Sequence, residues 1–302
     1  MTDDTRLHTA AVVVTHNRLS LLRECLLCLR NQTRIPDAII VVNNGSTDGT
    51  AEWLSEQRDI IVITQQNTGS SGGQHSGIGE ACRRGYDWIW CMDDDCMPQA
   101  SALEELHCIV RRYNASPIGF LSSRVLWTDG SDHVMNLPGF FFNRNRWNFI
   151  GWDRYKEPAC RIDAASFVSC LFSREAVESV GLPECGYFIW YDDLEYTVRF
   201  RGFCNFFVPS SIVLHATKRN GGTGIGAFNA EAGIHQYYGL RNFCHFYRKW
   251  NKRLLAGFFL SLLRRMLWEM LRGTFSYRAF RMNIRAVYCG LTGDMTFPVR
   301  QL

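Results

Sequence analysis

Three adjacent carboxylates, Asp93, Asp94 and Asp95, follow directly on the apolar run Trp88 to Met92. Anions packed at the end of a buried segment repel one another unless a cation joins them. Hard oxygen ligands on one side suit Mg²⁺ or Mn²⁺ better than zinc. A solvated acidic turn is the ordinary account of such a cluster. The aromatic strand that feeds it favours the metal, because open α/β sheets bind ligands at the carboxyl ends of their strands. Side chains alternate along a strand, so Asp93 and Asp95 are expected on one side and Asp94 on the other. A second acidic group, Asp192, Asp193 and Glu195, opens a helical pattern that closes at Gly202. Acids in a first helical turn are also favoured by the helix dipole, so a purely structural role stands beside the chemical one.

The elements that must position these groups alternate along the chain. Ala11–Thr15, Ile39–Val42 and Ile60–Ile63 read as buried strands, and the run into Asp93 as a fourth. A helix from Ser20 places Leu22, Cys25, Leu26 and Leu29 at i, i+3, i+4 and i+7. A short helix carries Trp53 and Leu54, and the loop Asn67–Gly73 opens a helix that ends near Arg84. Ser101 and Glu104 have the spacing of a capping box for the helix Leu103 to Val110. This order predicts an α/β fold with a Rossmann-like, doubly wound, mostly parallel sheet. Shorter strands are expected at Pro117–Leu126, Phe140–Asn143 and Ala165–Phe172, then a helix Ser173–Gly181 and a strand Ser211–Leu214 ending at His215. The Gly-rich stretch Asn220–Gly226 lacks the Lys-Ser/Thr of a phosphate P-loop and reads as a mobile loop.

The 302 residues, 46% hydrophobic and 21% charged, suit one large globular domain or a domain with an appendage. No apolar h-region opens the chain, and the twelve cysteines, Cys25 and Cys28 among them, show no zinc spacing. Core thiols in the cytoplasm are the expectation. The net charge of +4 hides an asymmetry: residues 241–302 carry 12 Lys and Arg against 2 acids, the rest 21 against 27. Such a tail fits an anionic partner surface. Within it, Leu255, Phe259, Leu262, Leu263, Met266, Leu267 and Met270 are expected on one helix face, and Arg253, Arg264, Arg265 and Arg272 on the other. The apolar run Leu254–Leu263 falls far short of the roughly 20 residues of a membrane span. An interfacial helix on anionic lipid and a helix docked on the protein's own core both remain open. No nucleic-acid partner is expected, and the oligomeric state is open.

Taken together, VVVTHNR (12–18), VVNNGSTDGT (41–50), NTGSSGG (67–73), DWIWCMDDDCMP (87–98) and YDDLEYTVRFRG (191–202) resemble the inverting, GT-A-fold family 2 glycosyltransferases. The branch most similar is bacterial, with galactofuranosyl- and rhamnosyltransferases of cell-wall and O-antigen assembly. The resemblance covers about residues 9–242 and implies a catalytic domain over 1–242, followed by a helical, basic amphipathic region, 243–302. It implies a Mn²⁺ or Mg²⁺ ion held by Asp93 and Asp95, with His215 completing the shell and Asp94 near the ribose or donor sugar. Asp193 would be the general base, Asp192 the fallback, with Trp190 and Glu195 at the acceptor. Thr15, His16, Arg18 and Asn43 would hold the nucleotide, Asn67 and Gly73 the donor, and Arg241 the diphosphate or acceptor. Asn43 stands where the family carries a carboxylate; its amide can still accept from a uracil or thymine N3–H.

The implied reaction moves a sugar from a UDP- or dTDP-linked donor to a glycan, on a polyprenyl carrier at the inner face of the cell membrane. UDP-galactofuranose is the expected donor and dTDP-rhamnose the alternative. Two other classes stay open. A nucleotidyltransferase would show a basic, Gly-rich loop after the first strand, where this chain has HNRLS. A non-catalytic sugar-nucleotide-binding protein would bind without turnover and be indifferent to Asp193→Asn.

Overall fold

Parallel strands joined by helices build the first third of the chain. In order they are β1 (Thr9–Thr15), α1 (Leu19–Arg30), β2 (Ala38–Asn44), α2 (Thr50–Ser55), β3 (Ile60–Gln65), α3 (Gly69–Arg83) and β4 (Trp88–Asp93). The computed structural model describes residues 7–140, 148–221, 225–228 and 233–296. There follow β5 (Cys96–Pro98), α4 (Ala102–Arg112), β6 (Ile118–Leu126), β7 (Gly139–Phe140), β8 (Asn148–Phe149), β9 (Cys160–Arg161), β10 (Cys170–Ser173) and α5 (Arg174–Val180). The chain then forms α6 (Asp192–Arg199), β11 (Cys204–His215), α7 (Ile234–Trp250), α8 (Lys252–Leu271) and α9 (Tyr277–Thr292).

The main sheet runs β3-β2-β1-β4-β10-β6-β11-β5, with β9 also on β11. The pairs among β1 to β4, and β6 with β11, are parallel. β10 runs antiparallel between β4 and β6, and β5 antiparallel to β11. Every residue of β1 is buried, as a strand covered on both faces requires. One core holds Leu22, Cys25, Leu26 and Leu29 of α1 with Leu103 and Leu106 of α4; the other holds Ile78 of α3 with Phe172, Tyr196 and Phe200. The carboxyl ends of β1, β2 and β4 therefore open on one edge.

Several local expectations are corrected. Gly69–Gly73 is not a loop but the first turn of α3. A Cβ on Gly73 would lie 2.4 Å from Val14 Cγ1, so only glycine lets this helix settle on β1. Ser101 makes no capping bond; Leu103 N–H donates instead to Oε1 of Gln32, from the end of α1. Of the strand expected at 165–172, only β10 forms, because Ser169 is left-handed at φ 57°. Residues 141–143 and 222–224 of other expected elements lie outside the described residues.

The last three helices pack on one another through Tyr237, Leu240, Cys244, Leu255, Met282 and Ala286. α7 runs unbroken through position 242, so the boundary expected there falls in mid-helix. α8 is turned relative to its expected faces. Leu255 is buried and Phe258 and Phe259 pack on the core, but Leu263, Leu267 and Met270 are exposed. Glu269 is buried instead, paired with Arg265 and accepting from Phe228 N–H. Among the described residues, no helix is long and apolar enough to cross a membrane.

Candidate active site

Strand β4 ends at Asp93, and the expected alternation ends with it. Asp94 and Asp95 share a partner rather than facing opposite ways: Arg18 Nη1 donates to Asp95 Oδ2 at 2.7 Å and to Asp94 Oδ1 at 3.3 Å. Thr15 Oγ1, at the end of β1, donates to Asp94 Oδ2 at 2.8 Å. Pairing of β11 with β5 places His215 opposite Cys96, and its Nε2 comes 3.1 Å from Asp95 Oδ1. Among the described residues, Asp95, Cys96 and His215 offer ligand atoms within 4.8 Å of one another. Asp93 stands beside this group, with Ser70 Oγ 3.5 Å from its Oδ1.

The charges answer to these contacts. Burial, then the Asp95 charge, push Asp93 up to about 7, against the pull of His215. Burial lifts Asp94 to about 6, with Arg18 opposing. Burial also raises Asp95, but His215 and Arg18 outweigh it and hold that carboxyl below its usual range. A divalent cation fits here for a specific reason. His215 Nδ1 lies 2.9 Å from Asn136 Oδ1, and the Asn136 amide in turn donates to Ser166 Oγ. The amide oxygen therefore takes the proton of Nδ1, which leaves Nε2 to face Asp95 Oδ1 at 3.1 Å. Among the described residues no other donor satisfies that buried carboxylate oxygen. A carboxylate oxygen and an imidazole nitrogen facing each other in this way are ligand types for a divalent cation that takes the place of the proton between them.

Next to the cluster lies a cleft of about 290 Å³, lined among others by Thr15, His16, Arg18, Asn67 and Asp94. His16 Nδ1 is fixed by Asn44 O at 2.9 Å. Asn43 does not line it: its side chain accepts from Ser46 N–H just beyond the end of β2, and Asn44 faces the cleft instead. Gly73 packs on Val14 and is likewise not part of the lining. Sequence reasoning missed Phe188, Ile189 and His235, which close the far wall. They come from irregular chain and a helix start, with no spacing to mark them.

The second cluster opens on a separate cleft of about 310 Å³, walled by Phe149, Trp190, Tyr191, Leu194 and Tyr247 around Asp193. Asp193 Oδ1 accepts from Leu194 N–H at 2.7 Å. Burial lifts Asp193 to about 6, with the Leu194 amide opposing. Asp192 is raised well above the carboxylate range by burial and then by Asp193, and no hydrogen bond reaches its buried Oδ2. Phe188, Trp190 and Tyr191 all have positive φ, of 64, 66 and 67°. For bulky side chains each costs on the order of 1–3 kcal/mol.

Two expected site residues are placed elsewhere. Glu195 is buried between Arg199 and Lys249, the latter at 2.6 Å, and does not line the second cleft. Those cations fill its oxygens because α6 turns it to the face opposite Asp193's cleft. Arg241 is buried with its donors directed at main-chain carbonyls of Gly186, Tyr187 and Met295. It reaches neither cleft.

Comparison with known proteins places this arrangement. Residues 10–181 match the family described as glycosyl transferase family 2. The chain is 30% identical over 190 residues to the galactofuranosyltransferase GlfT1 of Mycobacterium tuberculosis, covering 61% of this chain and 62% of that one. It is 28% identical over 199 residues to GlfT1 of Mycolicibacterium smegmatis, with the same coverage. The match thus spans less than two thirds of these relatives. A crystal structure of GalNAc-T7 with UDP, GalNAc and Mn²⁺ superposes with a TM-score of 0.61 at 16% identity, over 82% of this chain and 49% of that one. The sheet order, the two acidic clusters on its edge and the match over more than half of the chain lead to one conclusion: this protein belongs to the family 2 glycosyltransferases, built on a GT-A fold.

Proposed function

We propose that this glycosyltransferase transfers a sugar with inversion from a nucleoside-diphosphate donor, best assigned as UDP-galactofuranose, to a lipid-linked or cell-surface glycan. The observation that carries the reading is the ridge Phe188–Tyr191. It gives Phe188 and Ile189 to the cleft beside Asp93–Asp95 and Trp190 and Tyr191 to the cleft around Asp193. A donor and an acceptor would meet across it. The similarity to galactofuranosyltransferases supports the donor; a dTDP-rhamnose donor is the alternative.

In this reading Asp93, Asp95 and His215 hold Mn²⁺ or Mg²⁺, which as a Lewis acid would stabilise the charge growing on the leaving diphosphate. Arg18, with Asp94, faces the same cleft and adds a fixed positive charge there. Thr15 and His16 hold the nucleotide. Asp193, ionised at neutral pH, takes the proton of the acceptor hydroxyl through Oδ2, its Oδ1 being held by Leu194 N–H. Asp192 is the fallback base. The aromatic walls suit the apolar faces of sugar rings.

The acceptor's lipid is served by α8. Leu260, Leu263, Leu267 and Leu271 are all exposed at i, i+3, i+7 and i+11, beside exposed Trp268 and Met270. The helix's one acid, Glu269, is turned inward. Arg264 and Arg272 flank the stripe, and this charge complements anionic lipid. The enzyme would thus lie peripherally on the inner face of the cell membrane. Vesicles containing phosphatidylglycerol should sediment the protein, and Leu263→Glu/Leu267→Glu should release it. Loss of a dimer in that variant, without vesicle binding by the parent, would assign the stripe to a second copy.

The reaction is tested by nucleoside diphosphate release from a panel of nucleotide sugars with Mn²⁺ and crude lipid-linked acceptor. Release from one donor, lost on chelation, names the sugar. Nucleotide binding with no release from any donor would favour a binding protein.

A further inference from the structure

The strained ridge between the two clefts rests on one side on a buried pair of side chains. Asn242 Nδ2 donates to the carbonyls of Tyr187, Ile189 and Trp190 at 2.9, 2.8 and 2.9 Å. Arg241 Nη2 donates to those of Gly186 and Tyr187 at 2.6 and 2.9 Å. Arg241 Nε donates to Asn242 Oδ1 at 2.9 Å, which fixes the amide so that its NH₂ faces the turn. Both side chains are almost wholly buried. Four carbonyl oxygens of residues 186–190, with that of Met295 on Arg241 Nη1, thus converge on one amide and one guanidinium.

Convergent carbonyls repel, and three left-handed aromatic residues do not hold that shape unaided. Left-handed backbone at 188, 190 and 191 turns the carbonyls inward, and the donors of α7 meet them there. On its other side the turn rests on α3: Phe188 O accepts from Ser71 N–H at 3.3 Å, and a Cβ on Gly69 would fall 1.9 Å from that oxygen. The turn is therefore gripped between a helix of the sheet domain and a helix of the C-terminal bundle. Asp192 and Asp193 follow it without a spacer.

We propose that Arg241 and Asn242 are positioning residues that lock the turn Phe188–Tyr191 and so set the distance and angle between the donor and acceptor clefts. They touch neither substrate. This rests on the assignment of those clefts under Proposed function. A displacement of about 1 Å between reacting groups costs on the order of 100-fold in turnover, which is the loss expected on releasing the turn.

Asn242→Ala and Arg241→Lys test this in the full chain, with Arg248→Gln as a control at an exposed position of the same helix, where the guanidinium meets Leu291 O. Amide hydrogen exchange of the peptide covering 184–193 is compared with exchange elsewhere, alongside steady-state transfer. The proposal expects exchange to quicken in 184–193 alone, kcat to fall about 100-fold and the donor KM to move only a few-fold. The control should change neither. Unchanged exchange at 184–193, or full turnover with a loosened turn, overturns it; exchange that quickens evenly over the chain reduces the pair to ordinary core. If Asn242→Ala does not fold, Arg241→Lys, which keeps the charge but loses the fork, decides. If the parent protein transfers no sugar, the functional reading fails, and the exchange comparison alone then judges the lock.

Discussion

Two aspartate clusters lie on one edge of this sheet, and they are built on opposite electrostatic principles. Asp93, Asp94 and Asp95 end a strand and are met by cationic or proton-bearing partners, Arg18 and His215. Asp192 and Asp193 start a helix and, among the described residues, meet backbone amides, aromatic walls and each other. The first has more ligand atoms than donors; the second has carboxyls whose charge is poorly compensated. A site that holds a cation needs the former, and a site that accepts a proton near neutral pH needs the latter.

The largest effect expected from breaking this division comes from Asp193→Asn, which should lower kcat by up to about 10⁴-fold and leave nucleotide affinity unchanged. A parallel loss of nucleotide binding, read by calorimetry, would blur the two clusters into one. Arg18→Gln acts on the other side. It removes the cation shared by Asp94 and Asp95, and should weaken nucleotide binding about 10- to 100-fold at unchanged fold.

The pH profile sharpens the comparison further. Asp193, the proposed base, is lifted to about 6 and is ionised above that pH, so kcat should be level above it and fall about tenfold per unit below. Asp192 gives the smallest effect. Its folded-state pKa is raised, so its ionisation costs stability at any pH above the unfolded value of about 3.9, and nothing below it. Asp192→Asn should therefore raise the melting temperature at pH 8 by on the order of 2–4 °C, a gain that disappears near pH 3.

The division also explains what a reader of the sequence could find. β1, β2 and β4 are near-continuous apolar runs because both faces are covered, and the acids stand directly at the end of β4, so fold and first cluster were legible. The strand that ends at His215 was legible too, while the place of that histidine beside the acids came only from the family resemblance; its partner Asn136 was not legible, lying 79 residues away with no pattern around it. The failures share a cause. Asn43 and Asn44 are consecutive residues of strand β2 and so point to opposite faces, and Glu195 differs from Asp193 by half a helical turn. Gln32 caps a helix 71 residues on, in place of the local Ser101. The placement of Arg241 depends on carbonyls about 55 residues away in either direction, at Gly186, Tyr187 and Met295, which no local periodicity records. The exposed leucine stripe of α8 was hidden because that helix is apolar on two faces, and only packing decides which is covered.

The division between a cation site and a proton site is tested most directly by Mn²⁺ binding in the presence of UDP, measured beside turnover for the parent, Asp95→Ala and Asp193→Ala. The account predicts that Asp95→Ala loses both, and that Asp193→Ala binds Mn²⁺ and UDP like the parent but does not turn over. Mn²⁺ binding lost in Asp193→Ala, or turnover retained in Asp95→Ala, would contradict it.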